Sequence, residues 1–367
     1  MKFRCDRDVL SEALQTVQRG VSSRPGIPAL TGVLMRATTG EGLTLTTTDL
    51  EVSARLTVDV QVTEEGVALV PARVLTDTVK SLSDAPVEFE ADEAQARIRC
   101  AAYEGALRLL PAEDFPAVRP PTGAPIVVPA AVFAEAVSQV AKAASRDEAR
   151  PVLTGILLEI SREGITLVAT DSYRLAIREL VANAPAEAKA IVPERALSEA
   201  ARAAQALDKG EVEIVIEESQ ASFRIDGLTL TSRLIEGEFP NYRQLLPEAY
   251  ENRLTVSRQQ LMDAVRRVGL LARDTAPVRM EFNALGVKLS SQSPDLGQAV
   301  EAVEARYEGE ELTAAFNPGY LLDGLAAASG ETVRVEVRDG LKPGVIRGEG
   351  EEFTYLVMPV RLPTPVG

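Results

Sequence analysis

Histidine is absent from all 367 residues of this sequence, and tryptophan is absent too. Without histidine the chain lacks the commonest general base and the commonest metal ligand at neutral pH. Cysteine is scarce, with only Cys5 and Cys100. Two cysteines cannot build a disulfide framework, so a reducing, cytoplasmic compartment is expected and neither a zinc site nor another metal or cofactor is. No apolar run approaches the roughly 18 residues of a membrane span. The opening MKFRCDRDVL carries charge where a signal peptide needs an apolar core, so the chain is expected to be neither exported nor bound to a membrane. No phosphate-cradling glycine loop, dinucleotide fingerprint or Ser-His-Asp or Cys-His arrangement occurs, and an enzyme is not expected. Positive charge is also in short supply. The 39 Lys and Arg against 54 Asp and Glu leave a formal net charge of -15. That argues against ordinary non-specific nucleic-acid binding, which basic surface drives.

The sequence does contain a threefold internal repeat. Residues 149–180, ARPVLTGILLEISREGITLVATDSYRLAIREL, read as two β-strands and the start of a third. Val152 to Ile160 runs out, Arg162-Glu163-Gly164 turns, Ile165 to Ala169 returns, and Tyr173 to Leu180 resumes the alternation. The same layout occurs at 24–56 and, more weakly, at 272–305. An amphipathic helix precedes each copy, starting at 6, 129 and 257, with Asp6 and Ser257 as N-caps and Pro129 in a first turn. A second short helix follows at 68–82, 190–204 and 314–328, where Pro71, Pro193 and Pro318 fall at the expected first helical position. Alternating strands close each copy. The order helix, strands, helix, strands recurring at a steady period predicts three tandem α+β domains, with helices on one face of antiparallel sheet, at 1–119, 126–246 and 253–367.

Two patterns bear on function. An aspartate recurs at one turn of each copy, Asp49, Asp171 and Asp295. It reads as an Asx-type turn repeated with its repeat, rather than as a set of catalytic or metal-binding carboxylates. Charge is also segregated. The helical stretches 6–24, 72–83, 130–150, 194–209, 257–273 and 319–329 hold 15 basic and 12 acidic residues, a net +3 that leaves -18 for the rest. Helices facing a polyanion, with sheets facing solvent, would produce such a split. The copies differ in two places: only the middle one follows its aspartate with Tyr173-Arg174, and only the last ends on a proline-interrupted apolar tail, Leu356 to Leu362.

With Arg24-Pro25 before a hairpin, Thr170-Asp171-x-x-Arg174-Leu175, Phe239-Pro240-x-Tyr242-Arg243 and Val357-Met358-Pro359-x-Arg361-Leu362, the whole chain resembles the bacterial DNA polymerase III β subunits, the replicative sliding clamps. The resemblance implies two chains closed head-to-tail into a ring around double-stranded DNA, twelve helices lining the hole and a continuous sheet outside. A topological hold needs few phosphate contacts, which answers the objection from net charge. The implied role is to hold the replicative polymerase on its template. Its catalytic subunit, the clamp loader, other polymerases and repair proteins would dock by short linear peptides.

By motif, the resemblance assigns the peptide groove to Leu153, Thr170, Ser172, Tyr173, Arg174, Leu175, Pro240, Gln244, Leu245, Val357, Met358, Pro359, Val360, Arg361 and Leu362, with Leu341 and Pro343 beside them. It assigns DNA contact to Arg24, Arg73, Lys80 and Arg202, and by helix placement to Arg146, Arg150 and Arg266. Ring closure falls to Leu107 on one edge and Leu270-Leu271 on the other. Ser172-Tyr173 departs from the commoner Gly-His pair of the family, and Gln244 stands where a basic residue is frequent. A monomeric three-domain scaffold that binds proteins without encircling DNA is the alternative reading, and a carboxylate-based hydrolase using Asp171 is a second.

Overall fold

A computed structural model describes residues 1–21, 26–207, 209–246, 249–272, 276–350 and 352–361. In the first copy β1 (Lys2–Asp6) leads into α1 (Arg7–Val17). Then come β2 (Gly32–Thr38), β3 (Gly42–Thr48), β4 (Val52–Val58), β5 (Gln61–Glu64), β6 (Gly66–Pro71), α2 (Ala72–Ser81), β7 (Pro86–Ala91), β8 (Gln95–Cys100) and β9 (Tyr103–Arg108). The second copy runs β10 (Ile126–Pro129), α3 (Ala130–Ala141), β11 (Gly155–Ile160), β12 (Gly164–Thr170), β13 (Arg174–Val181), β14 (Ala188–Pro193), α4 (Glu194–Gln205), β15 (Glu211–Ile216), β16 (Gln220–Ile225) and β17 (Leu228–Arg233). The third runs β18 (Asn252–Ser257), α5 (Arg258–Gly269), β19 (Val278–Asn283), β20 (Gly286–Ser293), β21 (Gly297–Glu304), β22 (Arg306–Glu308), β23 (Leu312–Phe316), α6 (Pro318–Ala327), β24 (Thr332–Val337), β25 (Gly344–Arg347) and β26 (Phe353–Val357).

Each copy therefore opens on a short strand before its first helix, which the helix-first reading missed. The run in β1 alternates buried and exposed over five residues, too short to stand out by period alone. The prolines also fall differently. Pro318 does occupy the first helical position, under an Asn317 cap that accepts from the Tyr320 N–H at 3.2 Å. Pro71, Pro129 and Pro193 instead end strands, one residue before their helices, because their extended backbone still pairs, Pro71 with Gly32 and Pro193 with Gly155. Ser257 caps α5 by accepting from the Gln260 N–H, whereas Asp6 makes no side-chain cap on α1. The stretch from Val152 begins in a tight helical turn, Pro151–Leu153, before the strand proper.

Helices bury one stripe against sheet, as their apolar spacing requires: Leu10, Ala13, Leu14 and Val17 on α1, and Leu261, Ala264, Val265 and Val268 on α5. No described helix is long and apolar enough to cross a membrane. The strands pair antiparallel in sheets of five (β5-β1-β7-β8-β9), eight (β10-β15-β16-β17-β4-β3-β2-β6), nine (β14-β11-β12-β13-β26-β25-β24-β18-β22) and four strands (β21-β20-β19-β23). The two large sheets join neighbouring copies. In one, β17 pairs with β4, with Leu228 opposite Leu56 and Leu230 opposite Ala54. In the other, β26 pairs with β13, with Phe353 opposite Arg178 and Tyr355 opposite Ala176. The chain accordingly divides into two compact units, Met1–Phe133 with Arg195–Leu234 and Ala134–Glu194 with Ile235–Gly367. The middle copy contributes strands to both.

Candidate functional site

The β13–β26 junction in the second unit gathers most of the predicted groove. On this face Leu175 stands directly opposite Leu356. Both belong to a buried cluster with Leu157, Val168, Ile177, Ile191, Tyr242 and Val345, onto which Val152, Phe239, Leu246 and Met358 pack half-buried. The apolar floor thus draws on both copies, and large aliphatic and aromatic groups at its rim suit an apolar peptide side chain. Leu153 is buried, but its neighbour Val152 is the one that meets this cluster. The strand β26 stops at Val357, since Pro359 has no N–H to donate. The following residues stay anchored: the Met358 N–H donates to the Tyr173 carbonyl at 2.8 Å and the Val360 N–H to the Ala315 carbonyl at 2.7 Å.

One rim of this site is a rigid turn. Asp171 Oδ1 accepts from the N–H groups of Tyr173 and Arg174 at 2.9 and 3.0 Å, and Thr170 Oγ1 accepts from the Ser172 N–H at 3.1 Å. Ser172 sits at φ 80°, and its repeat counterpart Leu50 at φ 77°. Asp49 makes the matching bonds to the N–H groups of Glu51 and Val52. Asp49 and Asp171 are structural, as their Asx reading expects, while Asp295 stands exposed in the β20–β21 turn; among the described residues no group of acids or cysteines is arranged to hold a metal. Arg174 Nε donates to Asp171 at 2.9 Å and its Nη1 to Asp323 on α6. Burial opposes the charge on Arg174, but Tyr355, Asp323 and Asp171 outweigh burial and hold the guanidinium above its usual range. Its Cζ lies 4.5 Å from the Tyr320 ring centre, and Tyr320 also stacks with the 60% exposed Tyr173.

The opposite rim is set by Glu159, which accepts from Tyr242 Oη at 2.6 Å and pairs with Arg243 and with Lys189 at 2.7 Å. Burial raises its pKa, yet the bonds from Arg243, Lys189 and Tyr242 prevail and hold it down to about 2. Pro240, Gln244 and Leu245 stand exposed along this segment. Pro343 is half-buried just before β25, whereas Leu341 is 74% exposed on the turn, its N–H bonded to Asp339. Arg361 is exposed; Leu362 and Arg24 lie outside the described residues. Sequence reasoning did not single out Tyr320 and Asp323. The available signal was weak: α6 is the one helical stretch without a basic residue, and Asp323 is its only acid.

The basic positions fall into two groups. Arg73 and Lys80 stand exposed on α2 and Arg146 just beyond α3, and none forms an ion pair among the described residues. Arg202 is held by Glu199 at 2.7 Å and Arg266 by Asp263 at 3.0 Å. Arg150 reaches Asp147 at 2.9 Å and Ser172 Oγ at 3.0 Å, so it braces the turn of the groove. Leu107 is half-buried on the edge strand β9. Leu270, 74% exposed, and the half-buried Leu271 follow α5, which packs on β21 and donates from Arg267 to Glu301 at 2.9 Å.

Three family profiles match the chain in succession: DNA polymerase III beta subunit, N-terminal domain over residues 1–119, central domain over 127–241 and C-terminal domain over 243–361. A beta sliding clamp of Streptomyces coelicolor is 38% identical, the match covering 99% of this chain and all of the relative. Among solved structures, the DNA polymerase sliding clamp from Bacillus subtilis is 30% identical with a TM-score of 0.95, covering 99% of this chain and 100% of the other. The sliding clamp from Pseudomonas aeruginosa bound to griselimycin is 31% identical, with a TM-score of 0.94 and the same coverage.

Proposed function

The chain belongs to the DNA polymerase III beta subunit family, and on that premise we propose that it is a DNA sliding clamp, a homodimeric ring around duplex DNA that tethers the replicative polymerase. The repeated sheet junction is the observation that carries the reading. At both junctions the last strand of one copy pairs with the third strand of its neighbour's hairpin unit, in the same register. Applied a third time, that rule leaves two edges without a mate, β9 of the first copy and β21 of the third. Exposed edges of this length invite strand pairing, and one chain's β9 can meet a second chain's β21. Two such heterologous contacts close a twofold ring.

The shared register then sets Tyr103 opposite the partner's Glu301, Gly105 opposite the partner's Ala299 and Leu107 opposite the partner's Gly297. Leu270 and Leu271 would cover the same seam. The three domains at 1–119, 126–246 and 253–367 become six in the ring, with their helices towards DNA. Arg73, Lys80 and Arg146 carry charge free of ion pairs and are the candidates for phosphate contact. Arg202 and Arg266 would first have to leave an acid, and Arg150 belongs with the groove. Few contacts suit a protein that must slide, because affinity held by phosphate contacts falls steeply with salt whereas a closed ring does not depend on them.

The β13–β26 groove is the docking site for linear peptides of the polymerase catalytic subunit, the clamp loader, other polymerases and repair proteins. Apolar anchors fill the Leu175–Leu356 floor while the fixed turn at Ser172 and the exposed Gln244 orient peptide polar groups. The protein itself performs no reaction, and its two buried thiols fit the reducing cytoplasm where replication takes place. The test is retention on circular plasmid after loading with the matching clamp loader and ATP, compared before and after the DNA is linearised. Protein that stays on circles and leaves cut ends is expected. Equal retention on both forms would refute encirclement and leave a scaffold.

A further inference from the structure

The junction of the first and second copies, in the first unit, holds a cavity of ≈ 260 Å³ lined by Ser53, Arg55, Arg119, Arg224, Thr229 and Thr231 together with the Val118–Pro121 segment. Its position is the repeat counterpart of the groove. Register equates Leu175 and Leu356 of the groove with Ser53 and Thr231 here, and Ile177 and Thr354 with Arg55 and Thr229. The segment after Phe115-Pro116 aligns with that after Phe239-Pro240. The linker that leads into it leaves the sheet in the same way: the Leu110 N–H bonds the Leu69 carbonyl as the Ile235 N–H bonds the Ile191 carbonyl. Part of the apolar support is also kept, as Ala29, Leu69 and Phe115 with Val118 against them. What changes is the floor, where hydroxyls and a guanidinium replace aliphatic side chains.

Charge at this site is unbalanced. Arg224 is committed, donating to Glu213 at 3.1 Å and to the Pro121 carbonyl at 3.0 Å, which fixes the lid segment over the sheet. Arg55 is half-buried and Arg119 exposed, and among the described residues neither guanidinium makes a hydrogen bond or ion pair. A half-buried guanidinium without a partner is unusual in a chain of net charge -15, where acids are abundant. Both arginines line one cavity with Thr229 opposite Arg55 across the strands. Ser53 and Arg55 point away from the face that α1 covers, since Val52 and Ala54 are the buried, helix-side residues of β4.

We propose that this junction is a second docking site, for an acidic peptide segment of a partner protein, its carboxylates taken by Arg55 and Arg119 and its backbone by the Thr229 hydroxyl, since the Ser53 and Thr231 hydroxyls already bond Thr48 and Ser222. Guanidinium–carboxylate pairs are charge-assisted and geometrically selective. The site lies on the sheet face, away from the helices, so a peptide is favoured over duplex DNA. Its location borrows from the groove reading above, whereas its chemistry does not. One clamp would then offer two unlike sites per chain, one apolar and one anion-selective, so that two partners need not compete.

Fluorescence anisotropy of a labelled hexa-aspartate peptide with the intact protein tests this. Saturable binding that Arg55→Gln with Arg119→Gln weakens roughly tenfold or more, and that Met358→Ala leaves unchanged, is the expected result. Binding indifferent to the arginine pair, or no saturable binding, would overturn it, as would displacement by duplex DNA at lower concentration than by unlabelled peptide. Plasmid retention and apolar-peptide binding of the arginine variant are read separately, so failure of the ring or groove reading is not confused with failure of this one.

Discussion

Arg174 and Asp323, 149 positions apart, meet beside the groove: the guanidinium at the start of β13 donates to a carboxylate on α6 while also holding Asp171. The pair ties the middle copy's turn to the third copy's helix at the point where Met358 passes. Arg174→Ala would leave Asp171 without its cation and Asp323 with Lys142 alone, at 3.4 Å. It should cost about 1–3 kcal/mol in thermal or denaturant unfolding and weaken apolar-peptide binding as the turn at Ser172 loosens. An unchanged melting temperature would show the pair to be incidental.

Met358→Ala removes a half-buried side chain from the groove wall without touching either open sheet edge. Titration calorimetry with a short linear peptide carrying apolar anchor side chains should show roughly tenfold weaker binding, and the sedimentation coefficient should not move. Undiminished affinity would place the peptide elsewhere.

The ring seam can be trapped. Ala106 and Gln298 are exposed on β9 and β21, and the inferred register sets them opposite one another across the two chains. Opposed strand residues have Cα atoms about 4.5–5.5 Å apart, within disulfide range. Ala106→Cys with Gln298→Cys should oxidise to a covalent dimer on a non-reducing gel, and a partner cysteine moved two residues along should not. The native Cys5 and Cys100 are buried and will not compete. Leu270→Ala with Leu271→Ala should shift the dimer towards monomer in sedimentation, through lost apolar burial.

Glu159 predicts an acid limb to stability. Its pKa is held down to about 2 in the fold against 4.5 for the free group. Its contribution is therefore complete above pH 4.5 and lost as the pH falls towards 2. The contribution is on the order of 2–3 kcal/mol, so Glu159→Gln should melt below the parent at pH 6, with the gap narrowing by pH 3. A constant gap would assign the loss to packing and not to charge.

Local chemistry carried the repeat, its six helices, the turns at Asp49 and Asp171 and the antiparallel α+β class, because periodicity, Asx turns and helix starts are each set by a few neighbouring residues. Short elements such as β1 and the strand-ending prolines escaped, since five residues give little period and a proline before a helix serves two conformations equally. What only tertiary structure decided is non-local. Strand propensity could not say that β26 pairs with β13 or β17 with β4, nor that β9 and β21 each end a sheet. It could not place Arg150 on Ser172 in place of leaving it free, or bring Asp323 to Arg174. Nor could it show that one junction floors its cavity with leucine and the other with serine, threonine and arginine. Those relationships depend on which edges hydrogen-bond across more than a hundred residues, and pairing energy has no local signature in the chain.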